Sequence, residues 1–128
     1  MQSTIEWGME FLKNKDIFKK EITNSTISDT SAKITKKQSI EYLVTEEEFL
    51  KDSKPFDSAS RIWVIFNKQK STPSTITTNW NKLLKPNVWI VVVDTKNNSK
   101  WLLHPETHMK VVEEKELQKS LETLQSNS

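Results

Sequence analysis

Two apolar segments, residues 61–66 (RIWVIF) and 88–93 (VWIVVV), constrain the fold more than any other part of the chain. Side chains alternate across a strand. In the first segment this puts Ile62, Val64 and Phe66 on one face and Trp63 and Ile65 on the other, and the second shows the same two-sided pattern. A strand apolar on both faces belongs inside a sheet that is covered on both sides. Between the two, Ile76, Trp80, Leu83 and Leu84 fall at i, i+4, i+7 and i+8, one face of a helix, with Ser74 as its cap and Pro86 as its stop. Strand, helix, strand implies a parallel pair joined by a right-handed crossover. The expected fold is therefore α/β: a mixed central sheet of about four to six strands with helices on both faces.

The flanking sequence fills in the rest. Ser3-x-x-Glu6 is a capping-box pattern, and Ile5, Met9 and Leu12 follow at helical spacing with Trp7 and Phe11 beside them, so a helix is expected over about residues 4–19. Gly8, the sole glycine, lies in its first turns and suits close packing against a neighbour. Residues 21–38 are rich in Ser and Thr and read as an edge hairpin or as a loop; the pattern does not separate the two. Residues 39–44 (SIEYLV) read as a strand, and Thr45-x-x-Glu48 as a second capping box opening a short helix with Phe49 and Leu50. Residues 101–103 (WLL) should fold back on 88–93 through the turn at 96–99, and 109–112 (MKVV) should add an edge strand. The stretch 113–124 should form a last helix with Leu117, Leu121 and Leu124 inward. At 128 residues, one domain spanning 1–128 is expected.

Composition removes several activities. With one glycine, no Gly-rich loop can cradle a phosphate, which argues against a P-loop, a dinucleotide site and a protein-kinase loop. With no cysteine there is no disulfide, thiolate zinc site, iron–sulfur cluster or Cys nucleophile. The 19 basic and 17 acidic residues leave a net charge of +2, a weak attraction for a polyanion. Arg61 is the sole arginine, a poor endowment for bidentate reading of bases. No N-terminal apolar h-region and no run near 18 apolar residues occur, so no membrane involvement and a cytoplasmic location are expected.

Candidate sites remain. His104 and His108, in HPETH, could ligate a metal or serve in acid–base chemistry, or could be solvated loop histidines. Asp94 ends a central strand, where ligands gather in open α/β sheets, or simply starts the turn DTKNNS. Lysines 13, 15, 19 and 20 and lysines 33, 36 and 37 could join Trp7 and Phe11 in a surface for single-stranded nucleic acid, or could line a solvated face with Glu10, Asp16 and Glu21 interleaved. Of the five tryptophans most should be core, and Trp101, on the outer hairpin strand, is expected to be the exposed one that contacts a partner.

Asn67-Lys68-Gln69-Lys70-Ser71-Thr72 closes the first apolar strand. This strand with its lysine-bearing polar end, set between helices and further strands over about residues 39–95, resembles the restriction-endonuclease-like (PD-(D/E)XK) nucleases. The resemblance implies acids that hold Mg²⁺ and a lysine that helps activate water. Asp57 would be the first acid and Lys70 the lysine, which puts Lys68 where an acid or Gln belongs. The shifted frame offers Asn67 and Gln69 without a lysine, and Glu41 is a further candidate acid. Neither frame completes the motif.

The sequence thus supports a small, non-catalytic intracellular binding or accessory protein without a cofactor. A protein partner is expected first and nucleic acid second, with oligomeric state open. The alternative is a metal-dependent, intact or degenerate, nuclease-like protein acting on DNA with Mg²⁺.

Overall fold

The computed structural model describes residues 4–109 and 113–126. Helix α1 (Thr4–Asp16) is followed by the strands β1 (Ile22–Ile27), β2 (Ser31–Lys36) and β3 (Ile40–Thr45). Helix α2 (Glu46–Lys51) and a 3₁₀ turn (Lys54–Phe56) lead to β4 (Arg61–Asn67), and α3 (Thr72–Thr78) with α4 (Trp80–Leu83) to β5 (Val88–Asp94). Strand β6 (Ser99–Leu103), α5 (Pro105–His108), a 3₁₀ turn (Glu114–Glu116) and α6 (Leu117–Ser126) complete the described chain. These strands form one sheet in sequence order, β1-β2-β3-β4-β5-β6. β3, β4 and β5 are parallel neighbours, and the remaining pairs are antiparallel.

The two segments that dominate the sequence lie side by side as expected, with Ile62–Val88, Val64–Ile90 and Phe66–Val92 in register. Their alternation divides the interior into two layers. Val44, Ile62, Val64, Phe66, Ile90 and Val92 face a helix-rich layer carrying Phe49, Ile76, Trp80, Leu83, Leu117 and Leu121. Leu43, Trp63, Ile65, Val91 and Val93 face the opposite way, against Ile5, Trp7, Met9 and Leu12 of α1. Full burial of such a side chain stabilises by roughly 1.5–3 kcal/mol.

Residues 21–38 are the hairpin β1–β2, with an irregularity between Ile22 and Asn24. Thr45 caps α2 by accepting from the Glu48 backbone N–H at 3.4 Å. Several details differ from the sequence reading, among them the last helix, which begins at Leu117 after a 3₁₀ turn rather than at residue 113. Helix α1 ends at Asp16 rather than near residue 19. The crossover helix begins after Ser71, not Ser74, and is interrupted at Asn79. That break rephases the last turn, so Ile76, Trp80 and Leu83 are buried while Leu84 is turned outward at 37% exposure. Trp101 is buried at 7%, because it stands beside Val92 in the register and shares its core-facing side; Trp89 is the partly exposed indole of the apolar strands. Ser3 and residues 110–112, the proposed start of the first capping box and most of the proposed edge strand, lie outside the described residues.

Gly8 sits where α1 crosses the sheet. A Cβ built there would meet Leu43 Cδ2 at 2.6 Å and Ile65 Cδ1 at 3.1 Å. Both partners are core side chains at 1% exposure, with little room to yield. Gly8→Val should therefore destabilise by about 2–3 kcal/mol through overpacking. Gly8→Ala should cost less, because a gain of about 1 kcal/mol in helix propensity offsets part of the clash. Urea-unfolding midpoints of the two variants against the parent check the order.

Candidate functional site

The parallel strands define two poles. At their carboxyl ends lie Asn67, Lys68, Gln69, Lys70 and Asp94, where α/β sheets commonly bind ligands. That rule needs a point where successive crossovers diverge to opposite sides. Here β3, β4 and β5 are added in one direction, and Phe49 of α2 joins Ile76, Trp80 and Leu83 of α3 and α4 in a single layer. The crossovers therefore lie on one side, and the topology places no switch point between β4 and β5.

The polar groups there hold their own loops. Thr72 Oγ1 donates to the Asn67 carbonyl at 3.0 Å and accepts from the Gln69 backbone N–H at 2.9 Å. The Asn67 side chain accepts from Thr4 Oγ1 at 2.9 Å, and the Lys68 N–H donates to the Val93 carbonyl at 2.7 Å. Asp94 organises the β5–β6 turn, accepting from Asn97 Nδ2 at 2.7 Å and from the backbone N–H groups of Lys96 and Asn97. The Asn97 side-chain bond, followed by those backbone donors, keeps its carboxyl below the usual carboxylate range. The turn-starting reading of Asp94 is the one the geometry matches.

The residues of the nuclease pattern do not converge. Lys70 follows β4, whereas Asp57 precedes it and pairs with Lys85 at 3.2 Å. Glu41 is aligned with Arg61, the first residue of β4. Seven extended residues separate the two ends of that strand, which at about 3.3 Å each is roughly 20 Å. Among the described residues, no group of three or more His, Cys, Asp and Glu side chains is placed to hold a metal.

His104 precedes α5 as its N-cap residue and His108 ends it, and both are engaged in packing. The His104 ring lies 4.7 Å from the Trp89 ring, nearly parallel to it, with Nδ1 2.7 Å from Thr107 Oγ1 and Nε2 2.9 Å from the Pro86 carbonyl. His108 Nε2 lies 3.0 Å from Ser120 Oγ, and its ring packs edge-on to Trp80 at 6.3 Å.

The amino pole is built differently. Helix α1 runs against β4, its first residue bonded to Asn67 and its last turn near Arg61. Beyond Asp16 it no longer covers the sheet, and a cleft of about 60 Å³ opens there. That is space for several waters or one small charged group. Leu12, Lys15, Asp16 and Lys19 line it from α1 and the following turn, Ile34 and Lys36 from β2, Glu41 from β3, and Arg61 and Trp63 from β4.

Glu41, 6% exposed, is fully engaged: Trp63 Nε1 donates to its Oε1 at 2.9 Å and Lys36 Nζ lies 2.9 Å from its Oε2. Asp16 is engaged too, accepting from the backbone N–H groups of Glu21 and Ile22 at 3.0 and 2.9 Å. The Ile22 bond is the main cause that keeps its carboxyl below the usual range, with Lys36 and Lys37 adding to it. The ion pairs of the described residues join Lys36 to Glu41, Lys85 to Asp57 and Lys115 to Glu113, and none takes Lys15, Lys19 or Arg61. Arg61 instead lies over the rings of Trp63 and Trp89 at 5.3 and 5.6 Å, and Lys15 over Phe11 and Trp63 at 5.4 Å each.

Lys15, Lys19 and Lys36 were legible as cations. Their meeting was not, since it depends on which way α1 lies across the sheet. Lys33, grouped with Lys36 in the sequence, points to the opposite face by strand alternation. Trp7 is buried and Phe11 is stacked on it at 5.8 Å, with Lys15 and Lys100 over its ring, so neither offers a free face for a base. Comparison with known proteins finds no matching family model, no matching curated protein and no matching solved structure.

Two outcomes are expected. Lys36→Met leaves the Glu41 carboxylate buried without its cation and should cost about 2 kcal/mol, less than a fully enclosed pair because Lys36 is 20% exposed. Lys36→Met/Glu41→Gln keeps an acceptor for Trp63 and should recover most of that loss; a thermal-denaturation double-mutant cycle measures it. Burial lowers the His108 pKa below its usual value. Protonation then favours the unfolded chain, so stability is complete above about pH 6.5 and falls as the pH drops through that value. His108→Gln should flatten the decline in Tm between about pH 7.5 and 5.5.

Proposed function

We propose that the protein is a binding module that takes an anionic group of its partner into the cleft at the amino pole of the sheet. The observation that carries this reading is the convergence of Lys15, Lys19 and Arg61, cations outside the ion pairs of the described residues, on a cleft whose two carboxylates are already engaged. Where acids and bases alternate on a solvated face, each charge has a neighbour of opposite sign. Here Glu41 is neutralised by Lys36 and Asp16 is held by backbone donors, so the remaining field at the mouth is positive.

The chemistry of the lining suits an anion. The Trp63 and Trp89 rings beneath the guanidinium fix Arg61 without consuming its N–H donors, which stay available for a phosphate or carboxylate. The small cleft volume favours recognition of one charged group on a larger partner over capture of a whole nucleotide.

Titration of ¹⁵N-labelled protein with inorganic phosphate tests this. A saturable shift of the Arg61 side-chain and Trp63 indole signals is expected. Arg61→Gln should weaken it by about tenfold or more, the loss of one charge-assisted contact. A linear, non-saturating response that Arg61→Gln leaves unchanged would overturn the reading.

A further inference from the structure

The turn between α1 and β1 carries the most exposed large apolar side chain among the described residues. Phe18 is 96% exposed and Ile17 55%. The loop is held in that shape. The Lys20 N–H donates to the Asp16 carbonyl at 2.7 Å, and Lys20 takes a left-handed φ of 51° that reverses the chain. The Asp16 carboxylate then ties down the N–H groups of Glu21 and Ile22. With both ends of the loop fixed, Phe18 stands at its apex and is not tucked against the sheet. Ile17 and Phe18, consecutive and both exposed, give this turn a small apolar tip next to Lys19 of the cleft.

Lysines surround the apex. Lys15 and Lys19 belong to the cleft, Lys20 is exposed two residues after Phe18, and Lys36 and Lys37 lie close enough to act on the charge of Asp16. The acids of the same region are Asp16, Glu21 and Glu41, of which Asp16 and Glu41 are engaged as described. We propose that this loop docks on an anionic lipid surface, Phe18 and Ile17 entering the boundary between headgroups and acyl chains while Lys15, Lys19 and Lys20 meet the lipid phosphates. The inference rests on the anion-binding reading of the adjoining cleft and names its partner.

Charge and shape select this occupant. A second copy would bring like-charged lysines together. A convex apex with a basic collar presents an apolar tip and cations at one level, which suits an interface apolar below and anionic above. Among the described residues no helix is long and apolar enough to cross a membrane, so the contact is peripheral.

Flotation with vesicles of equimolar phosphatidylcholine and phosphatidylserine, against vesicles of phosphatidylcholine alone, tests the proposal. The parent should float with the mixed vesicles only and be released by added salt. Phe18→Ser, at a side chain that packs on nothing, should keep the parent Tm and phosphate titration yet lose about tenfold in vesicle affinity. Retained phosphate binding without flotation would overturn the lipid surface while the cleft reading stands, and point to a protein partner instead. Flotation unchanged by Phe18→Ser would overturn insertion of the loop.

Discussion

The parallel pairing of β4 with β5 governs the rest of the molecule. Both strands are apolar on both faces, so the sheet they form has to be covered above and below. The chain meets that demand unequally. One layer receives both crossover connections and α6. The other receives α1, which precedes every described strand along the chain and lies across the sheet they form. One helix of 13 residues cannot cover a six-stranded sheet. The uncovered margin beyond Asp16 is where the cleft lies, so the asymmetry of the two layers is also the origin of the cleft.

The same ordering moves the site away from the usual pole. Right-handed crossovers joining strands added in one direction fall on one side, so no switch point lies between β4 and β5. The polar residues there, Asn67, Gln69, Thr72 and Asp94, bond to backbone and to one another, as residues do when their task is to turn the chain. At the amino pole, by contrast, charged side chains gather from α1, β2, β3 and β4, elements that sequence distance keeps apart and register brings together.

What could be read from the sequence follows the range of the physics involved. The double-sided apolar runs and the Thr45 cap are local, and each is visible in the sequence; the lone glycine in the first helix is visible too, but its partners, Leu43 and Ile65, come from distant strands. The hairpin at 21–38 was ambiguous because its apolar points are sparse, and it is settled by pairing with β3 through β2. Leu84 was misplaced because periodicity assumes an unbroken helix, and Asn79 breaks it. Trp101 was expected outside because β6 is an edge strand; yet an edge strand has two faces, and register with Val92 gives its indole the covered one. The cleft was the least legible. Arg61 stood out only as the sole arginine and Glu41 only as an acid on a strand; nothing in either's neighbourhood along the chain says that Lys15 and Lys19 lie beside them.

Glu41 links the fold to the site. A carboxylate at 6% exposure is tolerable only with charge-assisted partners, and Lys36 and Trp63 supply them. Four cations, Lys15, Lys19, Lys36 and Arg61, crowd one small cleft, and without an internal anion their repulsion would favour splaying the rim apart. By binding Lys36 inward, Glu41 removes one of the four from the mouth and holds Trp63 in the orientation on which Arg61 and Lys15 rest. The buried acid therefore sets how much positive charge faces outward and where it stands, its own charge being already engaged by Lys36. A neutral apolar residue at that position would leave the Trp63 indole without its acceptor, and any neutral residue would leave Lys36 without the charge that draws it inward.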